Sequence, residues 1–173
     1  MIIQTSFNRN IGESICKYWN LPALSDYGQQ TYRYSDIAEE IAKLHILFDK
    51  AGIQKGDKIA LCGRNMSRWG ITFLATLTYG AVAVPIMHEF HPEQIHHVVN
   101  HCEAKMLFVG DLVWKKLDAK EMPLLKGIIR MTDYVLLSTQ NKEIEQAITN
   151  LNRYFGEEYP SYFGPEKNTL SRG

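Results

Sequence analysis

The sequence predicts an α/β fold, an open, mainly parallel sheet with helices on both faces. Between Lys58 and Val109, short apolar runs alternate with segments of helical spacing. Those runs are apolar at consecutive rather than alternate positions, as in strands covered on both sides. Parallel strands also need crossover connections, which are nearly always right-handed and so distribute the helices over both faces.

Taken in order, an amphipathic helix is predicted over Phe7 to Trp19. Ala23–Asp26 and Thr31–Tyr34 flank Tyr27-Gly28-Gln29-Gln30, which predicts a short hairpin. Ser35 then suits an N-cap, Asp36 and Glu39 suit the positive end of a helix, and Ile37, Ile41, Leu44 and Phe48 recur at helical spacing. Lys50 and Gly52 close that helix. After the Gly56-Asp57 turn, Lys58–Cys62 is predicted as a buried strand. A helix over Trp69 to Tyr79, a strand at Ala81–Val84, a helix over Pro92 to His101 and a strand at Lys105–Val109 follow. Further strands are expected at Ile128-Ile129 and Tyr134–Leu137, and a last helix over Lys142 to Phe155. Gly156, Pro160, Gly164 and Pro165 break the periodicity, so residues 1–155 are expected to form one α/β unit and 156–173 a linker.

A chain of 173 residues, 45% hydrophobic and 22% charged, can bury a core of its own. Lys plus Arg and Asp plus Glu are 19 each, so no net field draws it to nucleic acid or to an anionic membrane surface. Cys16, Cys62 and Cys102 are expected to be reduced thiols, with Cys62 packed as a small hydrophobe. Met1–Ser6 lacks the charged start and apolar middle of a secretory signal, which points to the cytoplasm. The stretch from Gly70 to Met87 carries no charge, but Gly80, Pro85 and three threonines interrupt it, so a buried helix and strand are expected there rather than a membrane span.

Several motifs then stand in a definite order. These are Thr31-Tyr32, Gly52-Ile53-Gln54-Lys55-Gly56-Asp57-Lys58-Ile59-Ala60, Asn65-Met66-Ser67-Arg68-Trp69 and Gly80-Ala81-Val82-Ala83-Val84-Pro85-Ile86. Their order resembles the adenylate-forming enzymes, which include acyl-CoA ligases, luciferases and peptide-synthetase adenylation domains. Asn65 with Trp69, Val84-Pro85-Ile86, Pro92-Glu93-Gln94-Ile95 and Asn100–Lys105 look most like bacterial long-chain fatty acyl-CoA ligases. The resemblance covers about Thr31 to Gly110 and implies that the chain is a subdomain of the large N-terminal domain of such a ligase.

It further implies a two-step reaction, in which a carboxylate attacks the α-phosphorus of ATP and CoA thiol then displaces AMP from the acyl-adenylate. The parent would use ATP, Mg²⁺, CoA and a fatty acid. In the family a Ser/Thr/Gly-rich loop with a Lys meets the leaving pyrophosphate, because that charge needs several N–H groups and a cation together. That loop, the acid for the adenosine ribose and the lysine of the small C-terminal domain come later in the family than this sequence reaches. Glu166–Gly173 sits where the family prepares to enter the loop. No catalytic, ATP-binding or metal residue is therefore assigned, and the chain is expected to be inactive alone. Its partner would be the rest of the ligase chain, the parent could be peripheral to membranes, and apolar surface left uncovered would favour a homodimer.

Ligands of open α/β sheets sit beyond the carboxyl ends of the strands, so the loops there hold the candidate residues. Arg64 and Asn65 follow the first buried strand, where Arg64 can meet a phosphate, although Asn65 or Ser67 would equally serve as a helix cap. His88 and Glu89 follow the second. Their segment resembles, through Phe90, Pro92 and Glu93, one that lies against CoA in acetyl-type ligases, with His88 and Glu89 in place of paired glycines. Lys115 and Lys116 follow the third and suit either CoA phosphates or a solvated face. His97 and His101 have the spacing of two metal ligands, but surface histidines on a polar helix face are the expectation. Trp69, Phe73, Leu74 and Leu77 fit an acyl groove, yet a helix covering a sheet needs the same residues, and core packing is expected. The alternatives to a ligase fragment are a stand-alone non-catalytic α/β binding module and a fragment of an amino-acid or aryl-acid adenylating enzyme.

Overall fold

A computed structural model describes residues 7–159 and 163–165. The sequence readings of Met1–Ser6 and Glu166–Gly173 lie outside the described residues. The chain runs α1 (Phe7–Lys17), β1 (Pro22–Ser25), β2 (Thr31–Arg33), α2 (Tyr34–Lys50), β3 (Lys58–Cys62), α3 (Ser67–Tyr79) and β4 (Val82–Ile86). It continues through α4 (Pro92–His101), β5 (Met106–Val109), α5 (Asp111–Trp114), a 3-10 turn (Ala119–Glu121), β6 (Gly127–Arg130), β7 (Leu136–Thr139), α6 (Lys142–Thr149) and α7 (Leu151–Glu158).

β1 and β2 form an antiparallel hairpin, and the other five strands form one sheet in the order β4-β3-β5-β6-β7. Pairing is parallel from β4 to β6, and β7 joins antiparallel at the edge. The apolar runs predicted as two-sided strands behave as such: every residue of β5, and Ile59 to Cys62 of β3, is buried. Alternate strand residues then serve opposite cores. Ile59, Leu61, Met106 and Phe108 pack with α2, α3 and α6, whereas Ala60, Cys62, Leu107 and Val109 pack with α4 and α5. Phe108 sits at the centre of the first core, edge-on to Phe48 at 6.2 Å and to Tyr134 at 6.0 Å.

Local chemistry explains where the helices begin and end. α2 starts one residue before the expected Ser35 cap: Arg33 occupies the cap position, and its backbone N–H donates to the Asp36 carboxylate at 2.7 Å. Gly52 closes α2 as expected, with the Ile53 N–H reaching the Phe48 carbonyl at 2.9 Å. α3 begins at Ser67, two residues earlier than predicted, and neither Asn65 nor Ser67 caps it through a side chain. Asp26 of the hairpin turn does so instead, its carboxylate accepting the Ser67 N–H at 2.8 Å. Gly80 ends α3 at φ +90°, a conformation that a side chain would strain.

Other expectations change in detail. α1 stops at Lys17 rather than Trp19. The sheet-facing side of α3 is Ile71, Thr72 and Ala75, fully buried, while Trp69 and Phe73 stack on each other at 5.4 Å and are only half-buried. Leu74 is likewise partly buried against that core, as is Trp69. The predicted strand from Tyr134 begins at Leu136, because Tyr134 takes a left-handed turn at φ +59°. The last helix is two, broken at Asn150, and α7 continues through Gly156 to Glu158. The uncharged stretch from Gly70 to Met87 is most of α3 followed by β4. Among the described residues no helix is long and apolar enough to cross a membrane, and all three cysteines are free thiols.

Candidate functional site at the strand carboxyl ends

β3 and β5 are neighbours, and the chain leaves them toward opposite faces of the sheet, into α3 from β3 and into α5 from β5. Such a switch point opens a crevice beyond the strand ends. Two glycines let the diverging segments run side by side. The Gly110 N–H donates to the Cys62 carbonyl at 2.9 Å. A Cβ on Gly63 would stand 3.2 Å from Met131 Sδ, and one on Gly110 would stand 3.4 Å from Gly63 Cα.

A cavity of about 360 Å³ lies there, walled by the loops after β3, β4 and β5 and by α4. Its polar lining is Arg64, His88, Glu89, Asp111 and Lys116, and Met66, Phe90, Ile95, Val113 and Leu117 make much of the apolar wall. Four of the six sequence candidates, Arg64, His88, Glu89 and Lys116, therefore meet in one place. Asn65 and Lys115 do not line it and are exposed. Lys115 and Lys116 leave a helical turn in different directions, so only one of the pair reaches the crevice.

The charges of the lining are not equivalent. Asp111 accepts a short hydrogen bond from the Thr132 hydroxyl and lies 3.6 Å from Arg130 Nε. Arg130 in turn grips Asp133 through two bonds, at 2.8 and 2.6 Å, which hold the Asp133 carboxyl below the usual carboxylate range. Glu89 Oε1 is 3.1 Å from His88 Nε2. Among the described residues the Arg64 and Lys116 side chains have neither an ion pair nor a hydrogen bond, so the cavity presents two uncommitted cations beside an apolar wall. Beneath it, burial and then the Glu89 charge push the Cys62 thiol up to about 11, leaving it protonated and unreactive at neutral pH. The arrangement suits binding of an anion with an apolar portion.

Sequence reasoning missed Asp111 and the Arg130, Thr132 and Asp133 group that neutralises it. The position of Asp111, directly after Gly110 at a strand end, is the signal that would have found it. It also passed over Arg68, whose Nε donates to the Tyr32 hydroxyl at 3.2 Å while the guanidinium lies 4.5 Å from the centre of the Tyr134 ring. His97 and His101 stack face to face, centroids 5.7 Å apart. Among the described residues no three His, Cys, Asp or Glu gather as metal ligands.

The sequence pattern of the AMP-binding enzyme family matches residues 13–161. The chain is 35% identical over 80 residues to the crotonobetaine/carnitine–CoA ligase of Proteus mirabilis (strain HI4320), covering 46% of this chain and 15% of that ligase. It is 30% identical over 111 residues to the medium-chain fatty-acid–CoA ligase of Escherichia coli (strain K12), covering 54% of this chain and 20% of the relative. The crystal structure of the anthranilate CoA ligase AuaEII in complex with anthranoyl-AMP superposes with a TM-score of 0.72 at 15% identity, over 86% of this chain and 29% of that one. That likeness bears on the fold alone. The chain thus spans a fifth or less of the length of these curated relatives.

Proposed function

The chain belongs to the AMP-binding enzyme family, and we propose that it is the N-terminal part of an ATP-dependent long-chain fatty acid–CoA ligase. In that reaction the acid's carboxylate attacks the α-phosphorus of ATP and pyrophosphate leaves. The CoA thiol then attacks the acyl carbonyl, and AMP leaves. ATP and Mg²⁺ are assigned to the remainder of the ligase, and this chain supplies a wall of the large domain and a seat for the nucleotide end of CoA.

The single observation that supports the seat best is the pair of uncommitted cations, Arg64 and Lys116, facing the apolar wall of the switch-point cavity. A phosphorylated purine offers both complements, an anion and a flat apolar face. His88 and Glu89 stand where the resemblance to acetyl-type ligases places glycines, so contact at this rim passes through side chains rather than backbone.

Acid-dependent exchange of label between pyrophosphate and ATP tests the proposal. The 173-residue chain should show none. A protein expressed from the reading frame continued past Gly173 should exchange best with long-chain fatty acids and form their CoA thioesters. Exchange by the chain alone would contradict the fragment reading. Activation of amino acids or aryl acids by the longer protein would contradict the fatty-acid reading.

A further inference from the structure

Two side chains one helical turn apart on α4 tie it to the segment that follows α5. Asn100 Nδ2 donates to the Glu121 carbonyl at 2.7 Å, and His96 Nε2 accepts the Asp118 backbone N–H at 3.2 Å. The two ties differ in kind. A carboxamide holds its partner at any pH, whereas a backbone N–H can only donate, so the second bond exists only while His96 Nε2 carries no proton. Imidazole is the side chain whose ordinary charge change falls between about pH 5 and 8. Asp118 follows directly on Lys116-Leu117, which wall the switch-point cavity, and its carboxylate accepts the Lys120 N–H at 2.9 Å at the start of the 3-10 turn.

We propose that His96 is a proton-sensitive latch on the Lys116-Leu117 wall of the cavity. With the imidazole neutral, the Asp118 N–H is held and the wall is fixed to α4. A proton at Nε2 sets donor against donor, the Asp118 N–H passes to water and the wall is released, while Asn100 keeps the 3-10 turn attached. The surroundings contain few other groups that can interfere. α4 itself carries Glu93, His97 and His101, all exposed. The segment packed against it brings Lys115, Lys116, Asp118, Lys120 and Glu121. β4 and β5 carry no ionisable side chain, β3 brings Lys58 at its amino end and the Cys62 thiol raised to about 11, and β6 brings Arg130, already bonded to Asp133. The latch operates whatever the cavity binds.

Backbone amide resonances of the 173-residue chain, followed from about pH 8 down to about pH 5 together with the His96 ring resonances, test the latch. The Lys116, Leu117 and Asp118 amides should shift together through one midpoint, that of the His96 ring. In His96→Gln, whose carboxamide oxygen accepts at every pH in this range, they should stay near their high-pH positions. In His96→Ala, with no acceptor at any pH, they should stay near their low-pH positions. An Asp118 amide indifferent to pH in the parent chain, or a pH response that survives His96→Gln, overturns the latch. A shift of Asp118 without Lys116 and Leu117 overturns its hold on the cavity wall.

Discussion

Arg64 and Arg68 stand four residues apart on either side of the α3 N-terminus, and their surroundings are opposite. Arg68 is half-buried on the α2 side of the sheet, bonded to the Tyr32 hydroxyl, 3.8 Å from Glu40 and stacked on Tyr134. Tyr134 is itself 3.1 Å from the Thr72 hydroxyl, and burial pushes its phenol far above the usual range. That group ties the hairpin, α2, α3 and the β6–β7 turn together. Arg64 lines the cavity on the other side, where it is exposed and, among the described residues, unpartnered. One guanidinium is spent on architecture and the other is available to a ligand, although sequence alone offers two arginines of the same neighbourhood.

The two faces of the sheet differ in the same way. On the α2/α3 face the core is larger and holds polar groups that are tied in, among them His45, bonded to the Ala75 carbonyl at 3.0 Å, and Thr76, bonded to the Thr72 carbonyl at 2.8 Å. On the α4/α5 face the core is smaller and opens at the strand ends into the cavity. Stability should therefore concentrate on the first face and ligand response on the second.

The sharpest way to break that division is Phe108→Ala. Phe108 is fully buried between Phe48 and Tyr134, so about 3–5 kcal/mol of stability should be lost in urea unfolding. A loss under 1 kcal/mol would deny that the main core lies there. Next in size is a pH effect from Cys62. Its thiol is raised from 9.0 to about 11 in the folded chain, so the folded state holds a proton that the unfolded state releases between those values. Stability should be unaffected by this group below pH 9 and fall as pH rises from about 9 toward 11. Cys62→Ala should flatten that part of the profile. Asp26→Ala removes the acceptor for the Ser67 N–H and should cost about 1 kcal/mol through α3. Smallest in stability are Arg64→Ala and Lys116→Ala, each expected within about 0.5 kcal/mol of the parent in the same unfolding assay.

The features legible in the sequence are those written locally. Consecutive apolar residues marked β3 and β5 as two-sided strands, and the rule that ligands sit beyond strand carboxyl ends led to Arg64, His88, Glu89 and Lys116. What was not legible depends on residues distant in the chain. The cap of α3 comes from Asp26, 41 positions away from Ser67, so the nearby Asn65 and Ser67 looked adequate. Asp111 passed unremarked because its partners, Arg130 and Thr132, reach it only through the β6–β7 turn. The four residues of α5 are too few to show a helical period, which is why Lys115 and Lys116 could not be told apart.

The most direct test of the central claim is to titrate CoA into the isotopically labelled chain and follow its backbone amide resonances. The predicted result is shifts confined to the loops after β3, β4 and β5, centred on Arg64, His88 to Phe90 and Asp111 to Lys116, and abolished in the Arg64→Ala, Lys116→Ala double variant. Shifts centred instead on Tyr32, Arg68 and Tyr134, or shifts that persist in the double variant, would contradict the assignment of the ligand face.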